Sequence, residues 1–303
     1  MFWSQLKFSI MSKLAKSLAT LFLLFFVTAH ASTAKHISSP LPLRIGLTPV
    51  FLDDQSAFLN KWRDYLQHKL ARPVIFVQRG SYREIVDLLR DDKLEFAWLC
   101  GYPYIRNKNH FRLVSVPLYH DEPLYHSYLI VPATDIKTSS LDNLRGKVFA
   151  FSDPDSNSGY LYTAYLLAKQ GVVPATYFSK SFYTWSHRKV VEAVAVGLAQ
   201  GGSVDGYVWD TLSKIHPELT SRTRVVTESP KFGFPPIVAS RSVSKHDIAT
   251  MQQVLTQMAN NKEGAYLLDQ FNLNGFVSGN PHLFDSISDM YHFVEKKRPN
   301  AAP

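Results

Sequence analysis

The stretch from Lys147 to Gln170 constrains this chain more than any other, because it passes from strand to helix in one tight turn. Lys147–Phe151 alternates and is rich in β-formers, which predicts a buried strand. Asp153-Pro154-Asp155 is a turn signal. Ser156, Asn157 and Ser158 are N-cap residue types, and the apolar spacing after them predicts a helix to about Gln170. Gly159 lets another group approach the backbone closely. The first amides of a helix lack partners within it, and the peptide dipoles make that end partially positive. Ser156–Gly159 therefore reads either as an ordinary capped helix start or as an anion site that needs no Lys or Arg.

The same passage recurs along the chain. Leu43–Leu47 predicts a strand, Phe58–Leu70 a helix, Pro73–Val77 a strand, and Tyr82–Leu89 a helix capped by Ser81 with Glu84 at capping-box spacing. Glu95–Cys100 follows as a strand, with a helix starting at Tyr102. Phe111–Pro117 and Tyr125–Val131 also read as strands. After the polar segment 133–146 a second series begins at Lys147. It continues through a β-prone Tyr177–Thr184, a helix His187–Ala199 capped by Ser186, and a strand Val204–Trp209 ending at Asp210. Strands alternating with helices predict an α/β fold of mostly parallel sheets flanked by helices. Ligands in such sheets bind at the carboxyl ends of the strands. That rule places Thr48–Phe51, Gly80–Tyr82 and Cys100–Tyr104 on one rim. Interruptions near Val131–Thr134 and Phe232–Pro236 predict two crossovers, with lobe 1 at 40–131 plus 237–298 and lobe 2 at 132–236. The rims would face each other across a cleft.

Several functions lose support at this stage. The formal charge of +8 is scattered rather than clustered, so no nucleic-acid partner is expected. Residues 1–31 have the form of a secretory signal: Lys7, Lys13 and Lys16, then an apolar Leu18–Val27, then Ala29-His30-Ala31, with cleavage expected near Ala31. An exported, periplasmic protein follows as an expectation. Cys100 is the single cysteine and reads as a packed thiol ahead of a reactive one. Tyr102 and Tyr104 read either as hydroxyl donors on the rim or as rings packed beneath a loop. His187 opens a helix, where it is either a surface histidine or a hydrogen-bond donor to ligand. His120, Asp121, Glu122 and His126 match no metal-site spacing, so neither metal nor cofactor is expected. Ser156 or Ser158 with His187 and Asp155 could be drawn as a catalytic triad, but no Gly-x-Ser-x-Gly elbow supports it and no enzyme is expected.

Taken in order, Arg-Ile-Gly-Leu-Thr-Pro (44–49), Glu-Phe-Ala-Trp-Leu-Cys-Gly-Tyr-Pro-Tyr (95–104), Asp-Pro-Asp-Ser-Asn-Ser-Gly-Tyr-Leu (153–161), Ser-His-Arg-Lys-Val-Val-Glu-Ala-Val (186–194), Gly-Ser-Val-Asp-Gly-Tyr (202–207) and Phe-Pro-Pro-Ile-Val-Ala (234–239) form a collinear set. The chain resembles the phosphonate/phosphite/phosphate-binding proteins of ABC importers, a branch of the type 2 periplasmic solute-binding proteins. The resemblance covers nearly all of the chain after residue 31. It implies two lobes joined by hinge crossovers, a small oxyanion held between them, and a monomer that presents it to a membrane ABC permease. By resemblance, Ser156, Asn157 and Ser158 would hold the oxyanion, with Gly159 beside them. Tyr102 or Tyr104, and His187, would also touch it. Asp210 would match an acidic position, while Phe234 or Pro235 stands where a second acid is expected. Cys100 also departs from the family motif. It opens an alternative: a periplasmic oxyanion sensor, for arsenite through the thiol, that signals to a membrane kinase or cyclase.

Overall fold

Short apolar runs form the strands and amphipathic runs the helices, in the alternating order that the spacing predicts. The structure, a computed structural model, describes residues 41–49 and 56–297. The expected export signal and the end of the Thr48–Phe51 rim lie outside the described residues.

Two sheets organise the described chain. In the first, β1 (Leu43–Leu47) lies between β2 (Val74–Gln78) and β3 (Phe96–Trp98), paired parallel to both. β12 (Ile237–Ser240), β4 (Phe111–Leu118) and β13 (Gly275–Ser278) extend it with antiparallel pairing, giving the order β13-β4-β12-β3-β1-β2. The second sheet has the order β10-β6-β9-β7-β8. There β7 (Val148–Phe151) is parallel to β8 (Lys180–Tyr183) and β9 (Gly201–Asp205). β6 (Ser127–Pro132) and β10 (Thr223–Glu228) pair antiparallel beside them. The parallel triplets β2-β1-β3 and β9-β7-β8 are the parts laid down by strand–helix repetition.

Between the sheets runs a ribbon of two short strands, β5 (Leu124–Tyr125) and β11 (Phe232–Gly233). After β11 the chain enters the first sheet at β12. The outgoing crossover comes earlier than the expected 131/132 boundary, because β6 already pairs with β9 and β10 in the second sheet. His126 breaks the expected Tyr125–Val131 strand in two, and its Nδ1 lies 2.5 Å from the Ser229 carbonyl oxygen.

Aromatic residues carry much of the burial. Trp62, Trp98 and Phe271 meet edge to face at 4.9–5.7 Å under the first sheet. Phe149 stacks on Phe178 at 4.3 Å under the second. Both clusters are buried.

One strand is misplaced by sequence reasoning in a way that matters. The expected Val204–Trp209 strand lies at Gly201–Asp205, and a helix runs from Gly206 to Ile215. The β-branched and aromatic residues 204–209 suggest a strand, and Gly201-Gly202 suggest a helix end. In the structure those glycines are strand residues pressed against Leu144 and Val190, where an added Cβ would approach to 2.5 and 2.6 Å. The strand's carboxyl end is therefore Asp205, not Asp210.

Candidate functional site

Six chain segments meet at one buried corner between the two sheets. From the second sheet come the turn after β7, the start of the helix His187–Ala195, and the end of β9. From the first come the start of the helix Tyr82–Arg90 and the residue after β3. Tyr125 reaches in from the ribbon.

The turn after β7 is built as its sequence suggests, with one difference. Asp153 Oδ1 accepts the Asp155 amide at 2.7 Å, and the Asp153 carbonyl accepts the Ser156 amide at 3.0 Å. Ser156 then caps the helix, its Oγ accepting the Gly159 amide at 3.0 Å. The first turn, Asn157–Leu161, is wound as a π-helix before the α-helix Tyr162–Lys169 begins. Such a turn is wider than an α-turn and is often found at functional sites. The Ser158 amide takes no acceptor among the described residues.

Ser156, Asn157 and Ser158 are fully buried. Of the five buried side-chain polar atoms without a hydrogen-bond partner among the described residues, three sit here: Ser152 Oγ, Asn157 Oδ1 and Ser158 Oγ. Ser158 Oγ approaches the Tyr125 hydroxyl without making a well-directed bond. An unpartnered buried polar group costs about 1–3 kcal/mol. Three in one corner, beside an unbonded amide, make a local deficit that a polar ligand would remove.

His187 is buried, and burial pushes its imidazole down to about 3, so it is neutral. Its Nδ1 accepts the Asp205 amide at 3.0 Å, which leaves the proton on Nε2. Nε2 lies 3.4 Å from Ser156 Oγ and points a donor into the corner. Ser186 occupies the cap position as expected, but its hydroxyl makes no cap bond.

Asp205 is the residue that sequence reasoning missed. It caps the helix Gly206–Ile215, with Oδ1 accepting the Val208 amide at 3.4 Å. Burial raises its carboxyl to about 8, so at neutral pH it is mostly protonated and can donate. Burial also pushes up Tyr82 and Tyr125 hydroxyls in the same corner, aided by Asp205 and Cys100. The signal for Asp205 was available: an N-cap residue type followed by Gly, just past a strand.

Asp210 stands elsewhere. One turn inside that helix, its Oδ2 accepts the Tyr119 hydroxyl at 2.7 Å and the Tyr128 hydroxyl at 3.1 Å. It clasps the helix to β6 and to the hairpin before the ribbon. Tyr102 and Tyr104 turn to packing: Tyr102 against Tyr291 at 5.6 Å, with the Arg106 guanidinium over its ring, and Tyr104 edge to face on Phe284 at 5.1 Å. The tyrosines gathered at the corner are Tyr82 and Tyr125 instead. Tyr125 lies in the 119–126 segment, which sequence reasoning weighed only for metal. Its hydroxyl accepts Asn157 Nδ2 at 3.0 Å.

Cys100 does reach the corner. Its sulfur accepts the Asn157 amide at 3.3 Å, and burial pushes the thiol up to about 11. It is a neutral thiol. A soft-metal ligand is a thiolate, and no cluster of three His, Cys, Asp or Glu side chains stands among the described residues.

With this geometry in view, comparison with known proteins is specific. Residues 45–284 match the family described as the periplasmic substrate-binding protein of the phosphonate ABC transporter. The phosphate-import protein PhnD of Mycolicibacterium smegmatis is 25% identical over 158 residues, 48% of each chain, so the match spans about half the length of that relative. A binding protein component of an ABC phosphonate transporter from Pseudomonas aeruginosa has a TM-score of 0.78 at 20% identity, covering 84% of this chain and 87% of that one. PhnD1 from Prochlorococcus marinus, in complex with methylphosphonate, has a TM-score of 0.76 at 20% identity, covering 84% and 98%. The shared architecture is the type 2 periplasmic binding protein fold.

Proposed function

Because the chain belongs to the periplasmic substrate-binding proteins of ABC phosphonate transporters, we propose that it captures a small phosphorus oxyanion between its two sheets and presents it to an ABC permease. The family is one of binding proteins, not enzymes. The observation that carries the reading is Ser158: a buried hydroxyl and a helix-start amide, both without partners among the described residues, beside Asn157 Oδ1 and Ser152 Oγ in the same condition.

The chemistry follows from the donor set. The Ser158 amide and hydroxyl, the Ser152 hydroxyl, His187 Nε2–H and protonated Asp205 can all donate to anionic oxygens. Hydrogen bonds to a charged acceptor are the strong kind. No formal cation stands at the corner, so affinity comes from oriented neutral donors and the helix start. A carboxyl that can either donate or accept suits a ligand carrying its own proton, as hydrogen phosphate and monoprotonated phosphonates do. The sensor reading is weaker, since the family is that of the periplasmic substrate-binding proteins of an ABC transporter. Export through residues 1–31 and a monomeric state complete the proposal.

Thermal-shift screening tests it, because a ligand that binds only the native state raises Tm. Phosphate, phosphite, methylphosphonate, arsenite, sulfate and selenite form the panel. The expected result is a rise with at least one phosphorus oxyanion, lost in the Ser156→Ala/Ser158→Ala double variant. A rise with sulfate alone, or one that survives in the double variant, would overturn it.

A further inference from the structure

A corner whose lining residues are fully buried cannot fill until its walls separate. Ser156, Asn157, Ser158 and His187 have at most 1% exposure. The walls belong to different sheets, so whatever ties the two bodies together controls entry and escape.

The ties converge on one turn. Asp153 is buried, and its Oδ2 accepts the Tyr82 amide at 3.0 Å, the first amide of the helix Tyr82–Arg90 on the other body. Two residues on, Asp155 receives a direct hydrogen bond from Arg106 Nη1, and Arg83 Nε lies 3.8 Å from its other oxygen. Arg106 ends the helix after β3 and Arg83 sits in the first turn of Tyr82–Arg90, so both guanidinia belong to the first-sheet body. The carboxylate of Asp155 is 9% exposed, while Arg106 and Arg83 are 38% and 68% exposed. They border a solvent groove of about 310 Å³ that also includes Arg90 and Pro103. The same turn delivers Ser156–Gly159, so one backbone segment both lines the corner and grips the opposite wall.

We infer that Asp153-Pro154-Asp155 is a latch: its carboxylates lock the first-sheet body over the buried corner and set how fast a captured ligand escapes. The inference rests on the proposed function for its ligand, but the latch itself is a contact between two parts of this chain. Asp153 acts from a dry site and Asp155 from a site open to salt. Dissolved ions weaken ion pairs that solvent reaches and weaken buried contacts much less. Escape should therefore quicken with ionic strength through Asp155 and Arg106.

The test uses the full chain and an Arg106→Ala variant, with Arg106→Lys as the conservative partner. Methylphosphonate and inorganic phosphate are the probes. Dissociation is followed by stopped flow at low and high salt, and the ligand-free radius of gyration by small-angle X-ray scattering. An ion pair with a solvent-exposed partner contributes at most about 1 kcal/mol, so Arg106→Ala should release the probe up to about fivefold faster. Its salt dependence should shrink, with only Arg83 left facing Asp155, and Arg106→Lys should restore part of both. Tm should stay near the parent value. Unchanged escape in Arg106→Ala, or an undiminished salt dependence, overturns the latch even if Tm falls. If the parent binds neither probe, the proposed ligand class fails. The scattering then decides alone: expansion of ligand-free Arg106→Ala supports the latch, and an unchanged radius overturns it.

Discussion

Two junctions in this molecule start from the same plan and end differently. After β3 the chain runs Cys100-Gly101-Tyr102-Pro103-Tyr104 into a helix, and after β7 it runs Ser156-Asn157-Ser158-Gly159 into another. Both lie at the carboxyl end of a parallel strand, where ligands collect in such sheets. At the first, the side chains find partners in their own body: Tyr102 on Tyr291, Tyr104 on Phe284. Cys100 occupies the cap position and makes no side-chain cap bond. At the second, Ser156 completes its cap while the Ser158 hydroxyl is left without a partner among the described residues. Strand–turn–helix geometry thus supplies a place, and the residues after the turn decide whether it is filled by the protein or kept for something else.

Adding one methyl to each junction should give the largest contrast. A Cβ on Gly159 would stand 1.8 Å from Ser152 Oγ, 2.7 Å from Ser152 Cβ and 3.0 Å from His187 Cε1. A hydroxyl can rotate away, but Ser152 Cβ is fixed to the strand, so the turn must move. Gly159→Ala should weaken methylphosphonate binding about 100-fold or more. It should also lower stability by the 1–3 kcal/mol typical of overpacking, roughly 2–4 °C of Tm per kcal/mol. A Cβ on Gly101 would meet Ile287 Cδ1 at 2.7 Å and Phe284 Cδ1 at 3.0 Å. Ile287 Cδ1 is the end of a flexible side chain and can shift. Gly101→Ala should cost stability and leave affinity within about threefold. Calorimetric titration and thermal melts separate the two, and equal losses of affinity would erase the contrast.

Removing a hydroxyl gives the next effect, with opposite signs for affinity and stability. Ser158→Ala deletes an unpartnered buried group, so the ligand-free protein should melt no lower than the parent. A hydrogen bond to a charged acceptor is worth about 1.5–3 kcal/mol, so probe affinity should fall about 10–100-fold. Tyr104→Phe, at the other junction, should change affinity less than about twofold, because its ring packs on Phe284 and its pKa rises through burial alone. A Ser158→Ala variant that binds as the parent does would show the corner to be merely packed.

How far the sequence carries can be judged from these same residues. The strand–helix alternation and the Ser156–Gly159 turn were legible because apolar period, turn chemistry and capping are local. The place of Ser158 in the first turn of that helix was legible for the same reason. Tyr102 and Tyr104 were not, because which wall a tyrosine faces depends on Phe284 and Tyr291, about 180 residues away in sequence. Asp205 was hidden by a four-residue error in strand position, since Val204-Asp205-Gly206-Tyr207-Val208-Trp209 has strand-like composition yet opens a helix. That error handed Asp205's place to Asp210. Tyr125 was hidden because a two-residue ribbon has too little length to show a period.

Asp205 leads to a pH prediction with a defined sign. Its folded pKa of about 8 lies above the ordinary 3.8, so its contribution is complete below pH 4 and is lost as pH rises toward 8. His187, depressed from 6.5 to about 3, contributes above pH 6.5 and loses this as pH falls toward 3. Between about pH 4 and 6.5 the two slopes oppose and cancel. Between 6.5 and 8 Asp205 acts alone, and ligand-free stability should fall by up to about 1.4 kcal/mol per unit. Asp205→Asn keeps an N-cap residue and removes the titration. Urea unfolding at pH 5, 6.5 and 8 should show a flatter upper limb in the variant, and the parent's slope persisting there would remove Asp205 from the account.

The smallest effect belongs to Cys100, where the two junctions touch. Its sulfur accepts the Asn157 amide at 3.3 Å, so the first junction supplies a partner to the second. Sulfur is a weak acceptor, and the thiol stays neutral with its pKa near 11. In Cys100→Ser the shorter C–O bond draws the acceptor back from the amide, while a hydroxyl is the stronger acceptor at a given distance. These changes oppose, and methylphosphonate affinity should shift by less than about threefold. Arsenite supplies the sharper arm of the measurement. If the thiol only closes the wall, arsenite should raise Tm equally, or not at all, in the parent and in Cys100→Ser. A rise confined to the parent would make Cys100 a ligand and turn the first junction into a second half of the site.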